Sequence, residues 1–95
     1  MFARVTRYQM KPGSIDEAMS VLEGLKPQIM AMPGMIDFLN VIDDDGNGYV
    51  ISVVDSQETS DANQPTVAGL WANFADFLTG PPSATGHNVM MHERA

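Results

Sequence analysis

Two spacings of apolar residues alternate along this chain of 95 residues, and they predict the order strand, helix, strand, strand, helix, strand. A strand repeats its apolar residues every second position, and an amphipathic helix repeats them every three to four positions. The helical spacing occurs twice, after Ser14 and after Pro65. The predicted strands cover 2–11, 35–42, 49–55 and 86–93.

Turn and capping residues mark the boundaries of the first elements. Pro12-Gly13 ends the first strand because proline cannot donate to a strand ladder and glycine turns easily. Ser14 and Glu17 have the spacing of a capping box, in which the Ser14 hydroxyl accepts from the amide of Glu17. Pro27 is expected to kink or restart the first helix.

The second half of the chain carries similar boundary signals. Residues 43–48 read Asp-Asp-Asp-Gly-Asn-Gly, which predicts a hairpin loop. Ser56 is expected to cap a short helical turn through Ala62, and Pro65 to be the first residue of the second main helix. That helix has a strong apolar stripe, which consists of Val67, Leu70, Trp71, Phe74, Phe77 and Leu78.

The predicted strands are apolar on both faces, whereas the helices can cover only one face. The β-α-β-β-α-β order predicts an α+β fold, the ferredoxin-like plait with a four-stranded antiparallel sheet, as one domain over 1–95. Right-handed crossovers put both helices on the same face of the sheet. The other side would expose a larger apolar patch than a monomer usually tolerates. We therefore expect a homodimer joined through the sheet face.

Charge and composition exclude several classes of partner. Twelve acidic residues against five basic ones give a net charge of −7, and the five basic residues are scattered along the chain. Nucleic acids and anionic membranes both require clustered Lys and Arg, so neither is expected as a partner. The chain has no cysteine, and its first residues do not resemble a signal peptide. We expect a cytoplasmic protein.

Several short motifs resemble the antibiotic biosynthesis monooxygenase (ABM) domain, a family of the dimeric α+β barrel superfamily. They are Pro12-Gly13 before a helix with an internal proline, Met32-Pro33-Gly34-Met35, and Val53-Val54-Asp55-Ser56-Gln57-Glu58 at the strand-to-helix junction. The resemblance implies a dimeric α+β barrel and a cofactor-independent monooxygenase that acts on a quinol-like or anthrone-like aromatic. The haem-degrading branch of the family uses an Asn, a Trp and a His, but the matching positions here hold Thr6, Asn63 and Asn73.

Polar residues interrupt faces that the pattern predicts to be buried. Arg4, Thr6 and Tyr8 share one strand face with apolar residues, and Asn40 interrupts the second strand. Buried polar groups require partners, which can be one another, the second subunit or a ligand. Trp71 either packs in the core or forms a wall of an aromatic-binding cavity between helices and sheet. Arg4, Thr6, Asn40 and Trp71 are our candidate substrate-binding residues, although an imperfect core would have the same composition.

Tyr8 and His87 are the candidate catalytic residues. His87 is either a structural histidine or a general base that titrates near neutral pH. His87 and His92 are five positions apart in the predicted last strand, so they would face opposite sides and could not share a metal ion. We expect neither a metal site nor a cofactor.

The hairpin sequence also resembles the opening of an EF-hand calcium loop. Asp43, Asp45, Asn47 and Gly48 fit its first positions, but Val54 occupies the place of the bidentate acid. A solvated hairpin loop is the expected structure.

Two functional interpretations stay open. In the first, an oxygenase forms a substrate carbanion that passes an electron to oxygen, while Tyr8, Asn40, Trp71 and His87 orient the substrate. In the second, the protein is a non-catalytic homodimeric module that binds a ligand or a partner.

Overall fold

The computed structural model describes Met1–Ala95 and contains four strands and three α-helices. The strands are β1 (Phe2–Gln9), β2 (Met35–Ile42), β3 (Asn47–Val54) and β4 (Ser83–Asn88). The helices are α1 (Ile15–Met30), α2 (Gln57–Ala62) and α3 (Gln64–Ala72), and a 3-10 turn follows at Ala75–Phe77. None of the helices combines the length and the apolarity needed to cross a membrane.

The strands form one antiparallel sheet in the order β2-β3-β1-β4. The two central strands, β1 and β3, pair from Phe2 opposite Val54 to Gln9 opposite Asn47. One crossover carries α1 and the other carries α2 and α3. This arrangement is the ferredoxin-like α+β plait, which confirms the predicted fold class.

The alternation of side chains divides the sheet into two faces. One face lies against α1 and α3 and includes Arg4, Thr6 and Tyr8. We call the other side the open face. It consists of Ala3, Val5 and Arg7 from β1, Asp37, Leu39 and Val41 from β2, Tyr49, Ile51 and Val53 from β3, and Ser83, Thr85 and His87 from β4.

The start of α1 differs from the predicted capping box. Ser14 precedes the helix, but its hydroxyl caps no backbone amide. The backbone of Ser14 has φ −99° and ψ −6°, which is helical rather than the extended conformation from which a capping side chain reaches forward. By contrast, Ser56 is extended (φ −156°, ψ 162°), and its hydroxyl accepts from the Thr59 amide at 3.2 Å, which confirms the predicted cap of α2.

Pro27 does not restart the first helix, because α1 is continuous from Ile15 to Met30. A proline in a helix removes one amide donor, and an exposed carbonyl can turn to water instead. Pro27 is exposed, and the Pro27 carbonyl still accepts from the Ala31 amide at 3.1 Å. The helix therefore accommodates Pro27 on its solvent side.

The β2–β3 connection is the predicted hairpin. Asp43 organises it, because its Oδ1 accepts from the amides of Asp45 and Asn47, each at 2.9 Å. Gly46 has φ +86°, and a Cβ at this position would lie 2.6 Å from the Met10 carbonyl oxygen. The Asp43 carboxylate thus stabilises the turn by accepting hydrogen bonds from two backbone amides within it.

The second helical region is shorter than predicted. α3 begins at Gln64, so Pro65 is the second rather than the first helical residue, and α3 ends at Ala72. Phe74 and Phe77 lie in the following turn, where their rings continue an aromatic row from Trp71 with centroid separations of 6.0 and 6.4 Å. At the start of α3, Gln64 Nε2 donates to the Ser60 carbonyl of α2 at 3.0 Å.

The predicted bounds of the last strand, 86–93, are wrong at both ends. The observed strand β4 covers Ser83–Asn88. Asn88 lies opposite Phe2, the first residue of β1, so β4 ends where its partner strand begins. The following segment leaves the sheet, and the His92 ring forms a hydrogen bond with the carboxylate of Asp37 in β2. His92 is therefore not part of a strand shared with His87.

Candidate functional site

A cavity of about 250 Å³ lies between the sheet and the helices. Seventeen of its 21 lining residues are hydrophobic, and most of them belong to α1, α3, β1, β2 and β3. Four polar side chains interrupt this wall, namely Arg4, Thr6, Asn40 and Ser52. Apolar walls with a few polar groups are typical of small-molecule sites.

The cavity exists because α1 covers the sheet without filling the space beneath it. Ala18 and Ile29 are the buried residues of α1, and Ala18 is too small to reach far into the interior. Leu22 and Leu25 are only half-buried and line the cavity instead of packing in a closed core. No large side chain in the protein is completely buried. The interior therefore departs from the close packing of an ordinary small domain.

Tyr8, which is otherwise an apolar lining residue, adds a phenol hydroxyl to the cavity wall. Gly48 lies directly opposite Tyr8 in the β1–β3 pair, and the Tyr8 ring occupies the space that a side chain at position 48 would fill. The ring thereby reaches across β3, and its hydroxyl donates to Asn40 Oδ1 at 2.6 Å. Trp71 lies on the other side, with ring centroids 5.7 Å apart and a tilt of 55°.

The environment of Tyr8 changes its ionisation. Burial raises the pKa of the Tyr8 phenol above its usual value, and the hydrogen bond to Asn40 acts against this rise. Only 8% of Tyr8 is exposed. The phenol is therefore neutral at neutral pH and serves as a hydrogen-bonding group rather than as a base.

Arg4 occupies another part of the same wall. Its Nε donates to the buried Ser60 hydroxyl at 3.1 Å, and its Nη2 lies 3.3 Å from Asp61 Oδ1. Asp61 is 62% exposed and Arg4 only 18%. Because exposed ion pairs contribute little, α2 fixes the orientation of the guanidinium chiefly through Ser60.

Thr6 and Ser52 contribute hydroxyl groups to the cavity wall, and no buried side-chain nitrogen or oxygen of the protein lacks a hydrogen-bond partner. Thr6 is 5% exposed, so bulk water is largely excluded from it. Ser52 lies directly opposite Arg4 in the β1–β3 pair. A hydroxyl group can both donate and accept, so either of these side chains can hydrogen-bond to a molecule in the cavity.

Five of the six residues selected from the sequence line this one cavity, namely Arg4, Thr6, Tyr8, Asn40 and Trp71. His87 does not. It lies on the open face opposite Ala3, and its Nε2 is 2.9 Å from the Thr85 hydroxyl. Sequence reasoning missed Ser52, although it is the single polar residue in the apolar run 49–54 and the argument made for Asn40 applies equally to it.

The positions that match the haem-degrading triad have structural contacts here. Asn63 Nδ2 donates to the Pro33 carbonyl at 3.0 Å, which ties α2 and α3 to the loop before β2. Asn73 Nδ2 donates to the carbonyls of Gly69 and Leu70 at the end of α3. No three His, Asp or Glu side chains lie close enough together to hold a metal ion.

Solved structures identify the fold. A Nitrosomonas europaea protein of unknown function, NE2512, superimposes with a TM-score of 0.82 at 20% identity, over 99% of this chain and 93% of that one. A protein named as an antibiotic biosynthesis monooxygenase superimposes with a TM-score of 0.77 at 14% identity, over 96% and 100%. Rv0793 from Mycobacterium tuberculosis superimposes with a TM-score of 0.75 at 17% identity, over 98% of each chain.

The chain therefore has the fold of solved structures that are named as antibiotic biosynthesis monooxygenases, and the resemblance found in the sequence is confirmed at the level of the fold. No protein-family model matches the sequence. No curated protein matches it either. The identities are too low to transfer an activity.

We expect the raised pKa of Tyr8 to appear as a pH-dependent loss of stability. Because the folded pKa exceeds the unfolded value of about 10, the contribution of Tyr8 is fully present below about pH 10 and is lost as the pH rises through the folded pKa. Urea denaturation of the wild type and of Tyr8→Phe at a series of alkaline pH values measures this loss. The free energy of unfolding should fall less steeply in Tyr8→Phe.

Tyr49→Phe provides the matched control, because it leaves Tyr8 as the only tyrosine of the chain. The alkaline absorbance change of this variant then reports Tyr8 alone and should occur above the usual tyrosine pKa. Equal slopes in the wild type and Tyr8→Phe, together with ordinary ionisation in Tyr49→Phe, would contradict the described environment.

Proposed function

We propose that the protein binds a small planar aromatic molecule in the cavity between sheet and helices and oxygenates it without a cofactor. The observation that carries the proposal is the cavity itself, which is apolar and has its few polar groups on one wall. The name of a solved structure with this fold, antibiotic biosynthesis monooxygenase, supports the same class of reaction.

The size of the cavity favours a ligand of one to three rings. A cavity of about 150 Å³ holds benzene, and this one has about 250 Å³. Drug-sized ligands use pockets of roughly 300–1,000 Å³. A quinol or a naphthol would fit inside, and an anthrone would extend towards the opening.

The polar groups are placed to fix the orientation of such a ligand. Val50 lies opposite Thr6 on one neighbouring strand and opposite Asn40 on the other, so the two polar residues stand on either side of it. Tyr8 holds the oxygen of the Asn40 amide, which leaves the Asn40 Nδ2 free to donate to an oxygen of the ligand. Trp71 offers a ring face against which an aromatic can pack.

The reaction requires no outside reductant. For an anthrone-like substrate, the ring CH₂ loses two hydrogens and gains one oxygen atom as a ketone, and the second oxygen atom of O₂ leaves as water. The substrate carbanion supplies the electrons that reduce O₂. The protein contributes by holding the ring in place and by excluding water from the intermediate.

We expect the protein to consume oxygen in the presence of electron-rich hydroquinones or anthrones, as measured with an oxygen electrode. Val50→Phe fills the space between Thr6 and Asn40 and should abolish the rate, whereas Val50→Ala keeps the cavity open and should retain it. Tyr8→Phe loses a hydrogen bond that positions Asn40 and should slow the reaction by about threefold to tenfold. His87→Ala should leave the rate unchanged, because His87 lies on the open face.

A flat oxygen trace across the whole panel, or equal rates in the wild type and Val50→Phe, would contradict oxygenation in this cavity.

One observation favours the second interpretation, a ligand-binding module without chemistry. The cavity contains no histidine and no carboxylate, so no side chain in it is suited to act as a base at neutral pH. Retained binding with no oxygen uptake would establish that interpretation.

We also infer that the protein is a homodimer joined through the open face. Leu39, Val41 and Tyr49 are 54%, 44% and 42% exposed on this face, which leaves a contiguous apolar surface on β2 and β3. A surface of this kind on a small protein is typical of an interface. A second copy presents the same surface and can cover it by two-fold symmetry.

Sedimentation equilibrium tests the dimer. We expect a particle of two subunits at micromolar concentration, and we expect Leu39→Glu to produce single subunits because it places a charge in the interface. Met19→Glu introduces the same charge on an exposed position of α1 and should remain dimeric. A wild-type particle with the mass of one subunit would overturn this inference.

A further inference from the structure

We propose that ligands enter the cavity between α1 and the edge strand β2, and that Met19 of α1 determines which ring substituents the site accepts. This inference rests on the proposed function, because it assumes that the cavity takes an aromatic molecule. It adds the class of that molecule, which is an aromatic ring system with an uncharged apolar extension. The ring lies inside the cavity, and the extension leaves it beside Met19.

Only three of the residues that line the cavity are exposed to solvent, namely Met19, Asn40 and Ile42. Met19 is 57% exposed and Ile42 is 39% exposed. All the other lining residues are buried or half-buried. The cavity therefore opens to solvent at these three residues, which we call the mouth.

The sheet register places the two sides of the mouth at the same level. Ile42, Gly48 and Tyr8 form one row across β2, β3 and β1. Ala18, which precedes Met19 in α1, packs in the same buried cluster as Tyr8. Met19 therefore lies level with Ile42. Because β2 is an edge strand, no further strand covers the gap between it and α1.

The inner end of the cavity is closed. Thr6 and Tyr8 of β1 are buried there, and so are Ala18 and Ile29 of α1. The cavity has about 250 Å³, which is enough for two fused rings but not for a long substituent on them. A substituent that exceeds this space must therefore extend outwards through the mouth.

The composition of the mouth favours an uncharged, apolar extension. Met19 and Ile42 are apolar, and no residue of the mouth carries a charge. The next residue, Asp43, directs its carboxylate to the amides of Asp45 and Asn47 within the hairpin. The net charge of −7 also disfavours an anionic extension. An alkyl or aryl group fits these conditions.

Met19 is the adjustable side of the mouth. A methionine side chain is unbranched and has three rotatable bonds, so it adapts to groups of different shape. Ile42 is β-branched and stiff. The Asn40 amide is held by the Tyr8 hydroxyl, which donates to its Oδ1 at 2.6 Å. Met19 can therefore fold over an extension, and its length sets how much of the extension is covered.

A series of 2-naphthols with 6-alkoxy chains of increasing length tests this inference by isothermal titration calorimetry. Unsubstituted 2-naphthol measures the inner cavity alone. Full burial of one methylene raises the affinity about fourfold. We expect the wild-type affinity to rise by about twofold to fourfold per carbon while the chain lies in the mouth, and to level off once the chain reaches solvent.

Variants of α1 assign this gain to Met19. Met19→Ala should bind 2-naphthol as tightly as the wild type does, but the gain per carbon should disappear because nothing covers the chain. Met19→Leu should keep part of the gain. Met30→Ala is the matched control, because Met30 is also an exposed methionine of α1 but does not line the cavity. It should keep the whole gain.

The outcomes separate this inference from the proposed function. Equal affinities across the series in the wild type, or the same gain per carbon in Met19→Ala, would overturn the inference and leave an aromatic cavity standing. Binding of no naphthol by the wild type would overturn both. Chain-dependent binding without oxygen uptake would support the inference and contradict only the proposed reaction.

Discussion

The space between the sheet and α1 is the constraint on which the other features of this protein depend. A ferredoxin-like plait ordinarily closes its helices on the sheet with large side chains. Here Ala18 and Ile29 are the buried residues of α1, and Leu22 and Leu25 remain half-buried. The apolar residues that would form a solid core therefore line a cavity instead, at a cost in packing that an occupant can recover.

The polar groups in this cavity depend on small residues of the sheet. Gly48 leaves the space through which the Tyr8 ring crosses β3 to reach Asn40. Gly86 of β4, on the other side of β1, likewise leaves the space that the Phe2 ring occupies. A side chain at either position would displace the ring across it, so the two glycines fix where the aromatic residues of β1 lie.

The apolar pattern predicted much of the fold because β1, β2 and β3 each carry several large apolar side chains in an extended segment. It failed for β4, where Ser83, Ala84 and Thr85 are small and exposed. The position of β4 is determined by its pairing with β1, because its own sequence has no apolar alternation that would indicate a strand. Ser14 and Ser56 carry the same capping signal, but only Ser56 has the extended backbone that lets its hydroxyl reach forward. Backbone conformation of this kind depends on the preceding turn, which residue type alone does not reveal.

Most of the residues that line the cavity could be selected from the sequence, and the one selected residue that lies elsewhere, His87, is informative. Polar residues on an apolar strand face indicated Arg4, Thr6, Tyr8 and Asn40, because alternation alone places them on one side. His87 was selected for its chemistry, but its face depends on its register with Ala3, which only the paired strands define. The reaction itself depends on a ligand, and no residue pattern names one.

A titration of Trp71 fluorescence tests the central claim most directly, because this residue is the only tryptophan and lies in the cavity wall. Addition of 1,4-naphthoquinone, a planar quencher, should reduce the emission along a saturable curve in the wild type. In Val50→Phe, in which the cavity is filled, only weak linear quenching should remain. Linear quenching in the wild type, or the same saturable curve in both proteins, would contradict a ligand-binding cavity at this place.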